Sequence, residues 1–221
     1  MLGNAGSAAP RVLSSPPVLA VATWANAVTA LRTVVAVTLG VESVLASSRT
    51  LLLVGYAVYW VGDVADGQLA RRLGQETRIG AVLDIVSDRA CCSVLLCALA
   101  LQEPRLWPAL VVYLVQFMVL DDVLSLSFLR WPVLSPNYFY CVDRTVWRWN
   151  WSPLAKSVNT AGVVLAVLTG LLPVALAVAV AQLVLKLWSA WLVLSIAAGW
   201  PSSDDAPRFV VPRPRRWTSA C

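Results

Sequence analysis

The sequence predicts an all-α, polytopic membrane protein with six transmembrane helices and both termini cytoplasmic. Three observations predict it. The first is composition: 59% of the 221 residues are hydrophobic and 13% are charged, about half the charge of an ordinary soluble domain, with a mean hydropathy of +0.72. The second is a series of apolar stretches, each close to the ~20 residues a helix needs to cross the hydrocarbon at 1.5 Å rise per residue. The third is the distribution of arginine and lysine, which crowd one set of connections.

The first stretch covers residues 24–46. Residues 11–27 also carry the outline of a secretory signal, with Arg11, an apolar run and Ala25-Asn-Ala27, but apolar sequence continues well past that point and favours a retained helix. The second and third stretches, 50–70 and 78–101, are each half apolar and half polar. Their polar halves adjoin the short connection Arg71–Arg78, which predicts an antiparallel hairpin with those halves at one depth. Stretches at 106–128, 157–177 and 179–199 complete the six. Residues 1–19 read as a flexible segment, 20–200 as the membrane domain, and 201–221 as a basic flexible tail.

With the Arg71–Arg78 connection inside, the cytoplasmic segments hold Arg71, Arg72, Arg78, Arg130, Arg144, Arg148 and Lys156, and the tail adds Arg208, Arg213, Arg215 and Arg216. The outer connections hold Arg49 and Arg105. This asymmetry sets the orientation. It also accounts for the net charge of +5 without a nucleic-acid partner. The connection from Arg130 to Lys156 carries Trp131, Trp147, Trp149 and Trp151, which predicts a segment lying in the headgroup zone.

The chain has no histidine, which excludes Ser-His and Cys-His nucleophilic pairs and imidazole-ligated zinc. Cys91, Cys92 and Cys97 lie in an apolar run, Cys141 and Cys221 stand alone, and none forms a CxxC pair, so they read as small hydrophobes.

Chemistry concentrates in the hairpin. At 100° per residue Asp63, Asp66, Gly67 and Ala70 share one stripe of the second helix; Gly80, Asp84 and Asp88 share one stripe of the third. Facing each other, the stripes gather four carboxylates around small residues. Burying such groups unpaired costs several kcal/mol each, and the basic residues near them in sequence are Arg71, Arg72, Arg78 and Arg89. An ion-paired structural cluster is one reading. Hard divalent cations answer the burial better, because an oxygen-only ligand set suits Mg²⁺ or Mn²⁺, and two such ions form the usual clamp for phosphoryl chemistry. Intramembrane acids also mark ion- or proton-translocating proteins, but those scatter acids through the bilayer depth, and here the cluster lies in the cytoplasmic half.

Asp63, Asp66, Gly67, Ala70, Arg71, Gly80, Asp84 and Asp88 match, at every specified position, the pattern D-x2-D-G-x2-A-R, eight residues, then G-x3-D-x3-D. In this the sequence resembles the CDP-alcohol phosphotransferase (CDP-alcohol phosphatidyltransferase) family. The segment Thr23-Trp-Ala-Asn26-Ala-Val-Thr29-Ala-Leu-Arg32 is similar to the family's T-x-P-N-x-[IL]-T-x-x-R, with Ala25 in place of the usual proline. The likeness covers roughly residues 20 to 200.

The resemblance implies transfer of a phosphatidyl group from CDP-diacylglycerol to a small polar alcohol, releasing CMP, at a cytoplasmic face of the cell membrane. By that likeness Asp63, Asp66 and Asp84 hold one of two Mg²⁺ or Mn²⁺ ions and Asp88 helps hold the second. Asp66, Gly67, Ala70, Arg71 and Gly80 line the CDP site, and Asp88 is the general base. A homodimer is implied as well. Glycerol 3-phosphate, inositol, inositol phosphate and serine all fit as acceptors. Lys156 is a candidate phosphate contact or a snorkelling lysine, and Arg144 and Arg148 are candidates for a phosphorylated acceptor or for lipid headgroups. Asp121 and Asp122 are candidates for function or for pairing with Arg130 or Arg89, and Lys186 reads as paired or snorkelling.

Overall fold

Thr23 opens the first helix of the computed structural model, which describes residues 21–159 and 170–199. The Thr23 hydroxyl accepts a hydrogen bond from the Asn26 amide at 3.1 Å, satisfying one of the orphan donors of a helix start. Helix α1 then runs Trp24–Leu45, without a break at Ala25-Asn-Ala27. Helix α2 spans Arg49–Leu73 and is stopped by Gly74 at φ 64°, the left-handed cap that glycine adopts without strain. Helix α3 spans Arg78–Gln102, capped by Thr77, whose hydroxyl accepts from the Gly80 amide at 2.9 Å.

Helix α1 buries one stripe: Ala25, Asn26, Thr29, Arg32, Ala36, Gly40 and Ser43. It packs along both α2 and α3, more extensively than these two pack on each other. The expected hairpin is therefore completed by a third helix. Small residues permit the approach. A Cβ on Gly40 would stand 2.9 Å from Val94, and one on Gly62 would stand 2.6 Å from the Arg32 side chain.

The turn Pro104–Leu106 leads into α4, Trp107–Val115. A π-helical segment, Gln116–Asp121, follows, then α5, Asp122–Leu126, and a 3₁₀ turn, Ser127–Arg130. The π segment re-aims its side chains relative to a uniform α-helix, a device frequent at functional sites. Beyond a further 3₁₀ turn at Pro136–Cys141 comes α6, Arg144–Asn150, capped by Asp143. Residues 153–159 are helical (α7), and α8 spans Leu172–Ala198. No strand occurs among the described residues.

Among the described residues three helical segments are long and apolar enough to cross a membrane: Trp24–Leu45, Pro104–Arg130 and Leu172–Ala198. Helices α2 and α3 have the length, at 25 residues each, but carry the charged cluster. The segments at 1–19 and 201–221 and most of the fifth stretch lie outside the described residues.

Two expectations are corrected. The last helix begins at Leu172 rather than 179, so the fifth stretch does not reach 177. Pro173 sits in the first turn of α8, where its fixed φ suits a helix start, and Gly170 at φ 58° turns the chain just before. The rings of Trp131 and Trp151 face the protein rather than headgroups: they are buried around Phe139, with ring centroids 5.1 and 4.9 Å from it. Rings packed on one another bury more apolar area than rings laid on a surface. Trp149 is half exposed.

Two apolar clusters result. One joins Leu52, Leu95, Leu96, Leu99 and Leu110; the other joins Ile85, Leu124, Phe128, Trp131, Phe139 and Val193. A cavity of about 300 Å³ is bounded by residues of both.

Candidate active site

Helix α2 supplies Asp63 and Asp66, and α3 supplies Asp84 and Asp88, each pair on one stripe, as their spacing requires. The two stripes meet at a guanidinium from α1. Arg32 donates from Nη2 to Asp84 at 2.6 Å, to Asp88 at 2.9 Å and to Asp63 at 3.4 Å, and from Nε to Asp66 at 2.8 Å. Its side chain is 2% exposed, held where Gly62 has no Cβ to obstruct it. Thr29, one turn earlier, donates its hydroxyl to the same Asp66 oxygen at 2.7 Å.

Arg32 is thus the basic partner that proximity in sequence does not reveal. Of the basic residues near the cluster in sequence, Arg78 donates instead to the Leu129 and Trp131 carbonyls, Arg89 pairs with Asp121, and Arg71 and Arg72 are exposed. One guanidinium does not balance four carboxylates. Asp63, Asp66 and Asp84 each place an oxygen within 4.8 Å of the others. An all-oxygen set this close, still in charge excess, fits a hard divalent cation.

Two recesses flank the carboxylates. A notch of about 80 Å³ is lined by Asp66, Gly67, Ala70, Arg71 and Gly80, together with Asn26 and Thr29. The residues assigned by resemblance to a CDP site therefore share one surface. A Cβ on Gly80 would stand 2.9 Å from Asn26 Oδ1 and Thr77 Oγ1. The larger cavity holds Asp63, Asp84 and Asp88 at one side, and Asp84 lines both recesses. The notch rim continues to Glu76, which accepts from the Tyr138 hydroxyl at 2.8 Å. Burial, and then the Glu76 carboxylate, push the Tyr138 phenol up, so it stays a protonated donor.

The far side of the cavity contains a second charged cluster. Asp121 accepts from Arg89 Nη2 at 2.6 Å and pairs with Lys186 at 2.5 Å. Arg89 Nε lies 3.4 Å from Asp122, and its guanidinium stacks 3.9 Å from the centroid of Phe117. Lys186 also donates to Asn150 Oδ1 at 2.9 Å. Gln116 and Gln182 line the same region. Of the two sequence alternatives for Asp121 and Asp122, pairing with Arg89 is the one formed; Arg130 donates to the Ala197 carbonyl. Lys186 is paired rather than snorkelling.

Lys156 lies on the cavity lining, exposed, with its ammonium 2.9 Å from Asn137 Oδ1. Arg144 and Arg148 are exposed on α6 and line neither recess. Sequence reasoning passed over Gln116, Asn150 and Gln182; a lone lysine in an apolar helix was the available signal that polar partners must gather around it.

Residues 22–198 match the family model described as CDP-alcohol phosphatidyltransferase. The CDP-diacylglycerol–inositol 3-phosphatidyltransferase of Saccharomyces cerevisiae is 40% identical over 50 residues, 23% of each chain. The protein of the same description from Schizosaccharomyces pombe is 49% identical over 43 residues, 20% of this chain and 18% of that one. These matched segments span less than a quarter of either relative's length. No solved structure matches.

Proposed function

The chain belongs to the CDP-alcohol phosphatidyltransferase family, and on that premise we propose that it transfers the phosphatidyl group of CDP-diacylglycerol to a small polar alcohol, releasing CMP. The observation that carries this reading is the convergence of four carboxylates between a notch and a cavity that share Asp84. The notch, with its glycines and Arg71, suits the nucleotide diphosphate. The cavity beyond suits an acceptor.

In this reading the acceptor hydroxyl oxygen bonds to the phosphorus bearing the diacylglycerol. The bond from that phosphorus to the oxygen bridging to CMP breaks, and CMP leaves with the electron pair. Asp88, on the cavity side, accepts the hydroxyl proton; with no histidine in the chain, a carboxylate is the available base. Asp63, Asp66 and Asp84 would hold one Mg²⁺ or Mn²⁺ and Asp88 would help hold a second; bound there, the ions lower the barrier by neutralising charge on the diphosphate. Thr29 fixes the Asp66 carboxylate, and Arg32 fixes all four.

The relatives that match are named for inositol, which makes inositol the first acceptor to test, ahead of glycerol 3-phosphate, inositol phosphate and serine. The same reading includes six spans, both termini and the site on the cytoplasmic side of the cell membrane, and a homodimer. The decisive experiment measures CMP release by the purified protein from CDP-diacylglycerol with Mg²⁺ or Mn²⁺ and a panel of alcohols, with the lipid products identified by mass. Release that needs an alcohol and vanishes in excess EDTA is expected. Release undiminished by EDTA would overturn the metal assignment, and none with any alcohol would overturn the transfer.

A further inference from the structure

The charges inside the larger cavity discriminate between kinds of acceptor. Arg89 and Lys186 are its buried cations, 8% and 6% exposed. Both are already committed: Arg89 to Asp121 and Asp122, Lys186 to Asp121 and Asn150. Two cations against two carboxylates leave that cluster neutral. Lys156, the remaining lining cation among the described residues, is exposed, away from this buried cluster, and donates to the neutral Asn137 amide.

The same region holds unspent hydrogen-bonding capacity. Gln116 and Gln182 are 2% and 8% exposed, and the side-chain oxygen of each has no hydrogen-bond partner among the described residues. The Gln182 amide nitrogen is used on the Asn159 carbonyl at 3.2 Å, so its oxygen is the end left over. Buried polar atoms without partners are costly. A ligand bearing several hydroxyls, each both donor and acceptor, supplies what these two oxygens lack.

We propose that the part of the cavity formed by Gln116, Gln182 and the neutral Arg89–Asp121–Lys186 cluster binds the acceptor alcohol and selects an uncharged polyol over its phosphate esters. This rests on the phosphatidyl-transfer reading. Gln116 and Gln182 accept hydrogen bonds from the polyol hydroxyls, and the charged cluster offers fixed dipoles without a free cation. A phosphate monoester, bringing about −1.5 to −2 charges at pH 7, would lose its hydration to a buried cluster whose two cations are already paired with carboxylates.

The test is steady-state CMP release by the full-length protein at saturating CDP-diacylglycerol and Mg²⁺. It compares inositol and glycerol with inositol phosphate and glycerol 3-phosphate. Uncharged polyols are expected to support turnover at least about a hundredfold better, as kcat/KM, than their monophosphates. Gln116→Leu and Gln182→Leu should each raise KM for the polyol about tenfold, the loss of one hydrogen bond to the ligand. The KM for CDP-diacylglycerol should stay unchanged, a split that mere structural damage does not produce. Turnover with the phosphate esters alone overturns the selectivity while leaving phosphatidyl transfer standing. Acceptor KM values unmoved by both variants, or moved together with the donor KM, overturn the residue assignment. No release with either class overturns the transfer reading and this proposal with it.

Discussion

Replacing Arg32 with methionine keeps much of the side chain's volume and removes a cation bonded to all four carboxylates. Arg32 and Asp66 are 2% and 4% exposed at the side chain, whereas Asp63, Asp84 and Asp88 are 42%, 41% and 23% exposed. Deleting one partner of a buried ion pair costs about 3–5 kcal/mol. Water reaches three of the four carboxylates, so the loss should fall at the lower end and come mostly from Asp66. At roughly 2–4 °C per kcal/mol for a chain of this size, the melting temperature in detergent with EDTA should drop by about 6–12 °C. Divalent cations can take over the neutralisation, so titrating Mg²⁺ should return most of that drop and raise the unmodified protein less. Thermal unfolding of both proteins across a Mg²⁺ series reads this directly. A variant that melts within about 2 °C of the parent in EDTA, or an equal Mg²⁺ gain for both, would refute Arg32 as the charge partner of the cluster.

Asp88→Asn should lose turnover by about 10²- to 10⁴-fold, the range of a missing general base, with no recovery at high metal and with CDP-diacylglycerol affinity retained; near-normal turnover at high Mg²⁺ would reduce Asp88 to a ligand. Asp121→Leu leaves Arg89 and Lys186 with one carboxylate between them and should cost about 3–5 kcal/mol, whereas Lys186→Met leaves Asp121 paired with Arg89 and should cost less than half as much. Denaturation of the two variants side by side checks the order, and the reverse order would mean the cluster is not organised around Asp121. In a cysteine-free background, a single cysteine at position 75 should be shielded from impermeant reagents in intact cells and one at position 103 should react; the opposite pattern would invert the proposed topology.

The eight motif positions were legible because their spacings are helical: one helix fixes which carboxylates share a face before any tertiary contact is known. Arg32 was legible as a motif residue but not as a partner. It lies 31 to 56 residues from the carboxylates it bonds, and its position depends on the rotation of α1, which glycines such as Gly40 and Gly62 decide through packing. Lys186 and Asp121 were visible as isolated charges, yet their pairing is set by the π segment at Gln116–Asp121, which hydropathy does not register. Trp131 and Trp151 misled because tryptophan is enriched both at headgroups and in aromatic cores, and only the proximity of Phe139 separates the two. The start of α8 was signalled by Gly170 and Pro173 but masked by apolar sequence on both sides.

The Arg32 bonds also constrain how the protein is made. Translation delivers α1 before any of the four carboxylates exists, so a nascent α1 presents a guanidinium to the membrane with no counter-ion. Placing that charge at the centre of a lone helix costs about 2.5–3.5 kcal/mol on insertion scales, a cost that disappears once α2 and α3 arrive. In the proposed six-span topology the first helix therefore gains by waiting beside the insertion machinery until the third is complete, because the last of the carboxylates that bond Arg32 arrive only then.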